Sequence, residues 1–189
     1  MGRCRIPGMT RQLTIIWYLL AVLCVQAQAT YTTRTGEIRF NASTPLEDIN
    51  AINSEVNGIF KKDNGDIGAV LLIRDFRFRK KLMEEHFNEN YIESGKFPKA
   101  TFRGTLAGFR NDSILREEYP LNGVLTIREI EREISTVAAI RQRGENLVLE
   151  TEFIARPEDF DIRVPRLLFK KIAQEVKVSV SMELQPSEK

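Results

Sequence analysis

Polar and apolar residues alternate along most of this chain. EVKVSVSMEL sets Val176, Val178, Val180, Met182 and Leu184 on one side and Lys177, Ser179, Ser181 and Glu183 on the other. NLVLETEFIA does the same with Leu147, Leu149, Thr151 and Phe153, and GEIRFNA with Ile38, Phe40 and Ala42. A period of two marks strands with one buried face. The pattern extends to Ile49 to Phe60, Ile67 to Phe78, Ala100 to Phe109, Leu121 to Ile130 and Glu133 to Arg141, which makes eight strands. Asn64-Gly65 supplies a hairpin turn between two of them, because this pair readily takes positive φ angles. Eight antiparallel strands in one small domain predict an all-β fold, an eight-stranded antiparallel barrel, since closure removes exposed sheet edges.

Three stretches depart from the alternation. Lys80 to Tyr91 spaces Leu82, Met83, Phe87 and Tyr91 by a helical period, and PRLLFKKIAQ, Pro165 to Gln174, reads as a second short helix with proline in its first turn. Ahead of the strands, Arg3, Arg5 and Arg11 precede the apolar run Leu13 to Val25, followed by Ala27-Gln28-Ala29. Residues 1–29 therefore read as a signal peptide, the run being too short to span a bilayer, and residues 30–189 as one exported domain. Cys24 raises the alternative of a lipid-modified cysteine, but Leu23 precedes it where a small residue is normally needed. The expected location is periplasmic or secreted, without a stable membrane anchor.

Removing the leader changes the chemistry available. Both cysteines and the one tryptophan leave with it, and the formal charge of +2 falls to −1 because the leader carries three arginines and no acid. That balance gives a nucleic-acid partner no electrostatic support. Homodimerisation is left open. No disulfide or thiol chemistry is possible after residue 29. The single histidine, His86, lacks the companions that a nucleophile-base set or a metal site requires, and no phosphate-binding or zinc-binding motif occurs. No catalytic residue, metal ligand or cofactor is expected, and His86 reads as structural or ligand-facing. A hydrolase using His86 is the weaker alternative.

The aromatic residues suggest a different use of the interior. Phe40, Leu72, Phe76, Phe78, Phe102, Leu125, Ile127, Leu149, Phe153, Val178 and Val180 are expected to point inward from several strands, with Met83, His86 and Phe87 contributed by the helix. Such a tube suits one elongated apolar ligand. A barrel filled by its own side chains would use the same alternation, so a scaffold protein without a ligand also fits.

The block LMEEHFNENYIESGKFPKATFRG, Leu82 to Gly104, resembles the signature of the YceI-like family of bacterial periplasmic proteins, in which a histidine-aromatic helix leads into an "ESxKFPxAxFxG" strand. NSEVNGIFKKDNGDI, IRDFRFRKK and DFDIRVPRLLFKKIAQEVKVSVSMEL extend the likeness over nearly all of residues 30–189. The resemblance implies a lipocalin-like barrel that binds a polyisoprenoid or isoprenoid quinone in its lumen for carriage, storage or sequestration in the periplasm, with no catalysis. One departure stands out. Where the family commonly has "LTIHGV", this chain reads LTIREI, with Arg128 and Glu129 replacing His-Gly. That exchange alters the turn and the polar groups near any ligand head.

Overall fold

The computed structural model describes residues 30–110, 118–163 and 173–187. The expected leader, residues 111–117 and most of the expected Pro165 helix lie outside these residues.

Eight long strands close into an antiparallel barrel. They are β1 (Thr30–Asn41), β2 (Asn50–Lys61), β3 (Asp66–Leu72), β5 (Lys99–Leu106), β6 (Glu118–Ile127), β7 (Ile130–Arg143), β8 (Asn146–Ala155) and β9 (Val176–Pro186), with a two-residue strand β4 (Arg77–Phe78) beside β2. The order runs β1-β9-β8-β7-β6-β5-β3-β2, and β1 pairs again with β2 to close the ring. Closure satisfies the backbone groups that an open sheet would leave unpaired. Between β4 and β5 lies the helix α1 (Lys81–His86), continued by a π-helical turn over Phe87–Tyr91.

Several expected strands hold with shifted ends, and each shift has a local cause. The β2–β3 hairpin is a four-residue loop in which only Gly65 has positive φ, at 76°, and its N–H donates to the Lys61 carbonyl at 2.9 Å. The two-residue turn read from Asn64-Gly65 is thus corrected. Asn64 instead uses its side chain to bond Asp66, accepting its N–H at 3.1 Å. The β6–β7 turn falls at Arg128-Glu129, both left-handed with φ of 51° and 63°, so that Ile127 pairs directly with Ile130. On β2, buried positions run Ala51, Asn53 and then Val56, Phe60, a change of phase at Ser54-Glu55. Asn53, fully buried, satisfies that irregularity by donating to the Leu72 carbonyl at 3.0 Å and accepting the Glu55 N–H at 2.9 Å. Pro98 immediately precedes β5, where its missing N–H costs no ladder bond, and its carbonyl accepts from Ile73 at 2.9 Å.

The interior is divided. Towards the β2–β3 hairpin the barrel is packed solid by Val56, Phe60, Leu106, Tyr119, Ile140, Leu147, Leu149 and Leu184, each at most 1 % exposed. Phe109 bridges Phe60 and Tyr119 with ring centroids 5.2 and 5.3 Å away in edge-on contacts, the geometry that aligns ring edge and face favourably. Towards α1 the barrel is hollow.

An apolar chamber under a helical cover

The hollow half is a cavity of about 530 Å³. Its wall comes from nearly every side of the barrel. Ile38 and Phe40 of β1 with Ala42 just after it, Leu71 of β3, Ala100 of β5, Leu125 and Ile127 of β6, Phe153 and Ala155 of β8, and Val176 and Val178 of β9 all face it. These are the inward members of alternating strands, so sequence period translates directly into a continuous apolar wall.

Four phenylalanines gather under the cover. Phe87 at the helix end lies 5.5 Å from Phe40, 5.7 Å from Phe76 and 5.1 Å from Phe78 between ring centroids, and Phe40 is 5.2 Å from Phe76 and 5.6 Å from Phe78. The rings are tilted or edge-on, which favours mutual contact over flat stacking. They fix α1 over the barrel mouth. Glu84 adds a polar tie, accepting the Phe78 N–H at 3.2 Å and standing 3.8 Å from Arg77. The π-helical turn lets the Ile92 N–H reach the Phe87 carbonyl at 3.0 Å, and that wider winding directs Phe87, Tyr91 and Ile92 to the chamber.

Arg128 stands where the resemblance implies a histidine, and its contacts are specific. Its side chain is only 14 % exposed. One guanidinium nitrogen donates to the Tyr91 carbonyl at 3.0 Å, another to Glu93 at 2.8 Å, and the group stacks over Phe97 with 5.0 Å from its central carbon to the ring centroid. The β6–β7 turn is thereby fastened to the segment that follows the cover. This contact compensates the left-handed backbone at Arg128, Glu129 and Glu93, each of which lacks glycine's freedom.

Polar groups are confined to the rim. Lys80 and Glu47 pair across the mouth at 2.6 Å, Arg156 reaches Glu175 at 2.7 Å, and exposed His86 lies on the same edge. Burial raises the Tyr91 hydroxyl above the usual phenol range, so it stays a neutral hydrogen-bonding group. Among the described residues no group of three or more metal-ligating side chains converges.

Ten of the residues expected to line a lumen do so: Phe40, Phe76, Phe78, Met83, His86, Phe87, Leu125, Ile127, Phe153 and Val178. Four do not. Leu72 lies on the outer face, between the cavity-facing Leu71 and Ile73, because the apolar run Val70 to Ile73 hides the alternation and the 3-10 turn Ile73–Asp75 then resets it. Leu149, with no exposure, belongs to the packed half. Phe102 and Val180 share the inward face but sit one layer below the chamber, packed on the core. The sequence reading also passed over Phe160 and Ile162, which cover one side of the mouth from the turn Pro157–Phe160 and the residues after it. The alternation in DFDI was the available signal.

The comparisons agree with this architecture. A search of curated protein sequences finds no match. Among solved structures, a polyisoprenoid-binding domain from Saccharophagus degradans, implicated in plant cell wall breakdown, has a TM-score of 0.71 at 11 % identity, covering 85 % of this chain and all (100 %) of that one. BcnA of Burkholderia cenocepacia gives 0.68 at 13 % identity, covering 79 % and 95 %. The YCEI protein of Campylobacter jejuni gives 0.57 at 12 % identity, covering 74 % and 85 %. At those identities the likeness is one of fold. The sequence model for the YceI-like domain matches residues 26–184, most of the chain, and with the covered barrel this places the protein in the YceI-like domain family.

Proposed function

We propose that the protein binds an isoprenoid lipid, a polyisoprenoid or an isoprenoid quinone, in the chamber under α1, and carries, stores or sequesters it without chemical change after export to the periplasm or the cell exterior. The observation that carries this reading is a 530 Å³ chamber walled by aliphatic and phenyl groups with its charges at the rim. Each buried square ångström of apolar ligand surface contributes about 25 cal/mol, so affinity needs few polar contacts. Membership of the family and the solved polyisoprenoid-binding relative support the choice of an isoprenoid over another apolar ligand. Arg3 to Ala29 supports export.

The test is native mass spectrometry of protein purified from its exported pool, followed by extraction. A retained isoprenoid at one per chain supports the reading. Recovery of the protein empty, and its failure to take up isoprenoid alcohols from vesicles, overturns it. An ester-hydrolysing activity abolished by His86→Ala would instead establish the enzyme reading.

A further inference from the structure

The boundary between the hollow and packed halves is built in an unusual way. Phe102 shares its inward face with the chamber-lining Ala100 and the core residue Leu106, one layer deeper than Ala100. Its ring lies over two directly paired glycines, Gly104 and Gly123, so closely that a β-carbon would sit 2.7 Å from the ring at Gly104 and 2.5 Å at Gly123. Across the barrel, Met182 is seated the same way. A β-carbon at Gly36 would meet its Cγ at 2.9 Å and one at Gly58 its Sδ at 2.7 Å. On each wall a large side chain thus occupies space that neighbouring strands vacate by having none, Phe102 just below the chamber and Met182 deeper, level with the core residue Leu149.

We propose that Phe102, held on a pair of glycines, forms the floor of the chamber and sets the length of chain it accepts. This rests on the isoprenoid reading above and adds a length to it. Carbons that the floor keeps from entering stay outside the mouth and add no burial.

The experiment offers all-trans isoprenoid alcohols of three, four, six and eight units from phosphatidylcholine vesicles to the parent protein and to Phe102→Ala. The bound amount is read for each, as the ratio of variant to parent, which cancels each alcohol's own preference for the vesicle. The ratio should stay within about twofold for three units and rise about tenfold for six, because deepening the chamber buries further carbons of the longer chain only. A ratio independent of length, with the parent binding the series, overturns the floor and leaves lipid binding intact. A parent that takes up none of the four alcohols defeats the isoprenoid reading and this inference with it. Ala100→Leu adds bulk one layer nearer the mouth and gives a second, opposite test that does not depend on the stability of Phe102→Ala. It should lose the four-unit alcohol about tenfold relative to a two-unit one, and equal loss of both would contradict the proposal.

Discussion

Enlarging one side chain in each half of the barrel separates a chamber from a core. Val178 lies in the chamber wall, flanked by Phe40 on β1 and Phe153 on β8. Leu149, on β8, sits between Ile140 and Met182 with no exposure. Val178→Phe adds four carbons beside a chamber of about 530 Å³. The ring can enter that space without moving its neighbours. Leu149→Phe adds three carbons where none fit and should destabilise by about 1 to 3 kcal/mol. For a domain of this size each kcal/mol lowers Tm by about 2 to 4 °C. Denaturant unfolding of delipidated protein should therefore show Val178→Phe within about 0.5 kcal/mol of the parent and Leu149→Phe clearly below it. The lipid-loaded proteins should reverse that order of effect, because Val178→Phe forfeits the stabilisation that a bound ligand gives by mass action. Equal apo destabilisation by both variants would refute a chamber at Val178.

Three further outcomes follow from particular contacts. Arg128→Ala should cost about 1 to 3 kcal/mol, from the lost buried hydrogen bond to Tyr91 and the stacking on Phe97 rather than from the half-exposed Glu93 pair. Amide exchange should accelerate over residues 87–97 while the strand amides hold, and uniform acceleration would show that Arg128 does not hold the cover. Glu129→Gly should raise stability by a few tenths to about 1 kcal/mol because φ of 63° suits glycine, offset partly by unfolded-state entropy; a loss measured by denaturant melts would contradict this account of the turn. On the outer surface Lys177, first, and the Ser179 hydroxyl hold the Glu152 carboxyl below its ordinary range. The folded carboxylate is thus favoured, and its contribution is present above the ordinary carboxylate pKa and lost as pH falls through the lowered one. Glu152→Gln should flatten that part of the acid stability curve, and an unchanged curve would sink the assignment.

Strand number, antiparallel closure and the inward face of β1, β8 and β9 were legible in the sequence because one buried face enforces strict alternation there. The reading faltered where the period is masked or reset. Val70 to Ile73 is apolar throughout, so Leu72 could not be told from Leu71, and the 3-10 turn after it restores Phe76 and Phe78 to the chamber. At Arg128-Glu129 the turn uses residues that rarely accept left-handed angles, and only the tertiary contacts of Arg128 reveal why it forms there. Whether an inward residue meets another side chain or open space is not encoded in its own strand. Leu149 and Val178 follow the same alternation, yet one is walled in by Ile140 and Met182 and the other borders a void. The glycines that make room for Phe102 and Met182 lie on strands other than β8 and β9, Gly36 on β1, Gly58 on β2, Gly104 on β5 and Gly123 on β6.

The central claim, that the chamber admits an isoprenoid chain, is open to one direct titration. Trp17 is the only tryptophan and precedes residue 30, so Phe153→Trp in residues 30–189 puts a single tryptophan, excited selectively over the tyrosines at long wavelength, in the chamber wall. Adding a four-unit isoprenoid alcohol should shift the emission to the blue with saturation at one molecule per chain. The same titration on Phe153→Trp carrying Val178→Phe should show that shift strongly reduced. An emission that never changes, or one that drifts without saturating and ignores Val178→Phe, would contradict the claim.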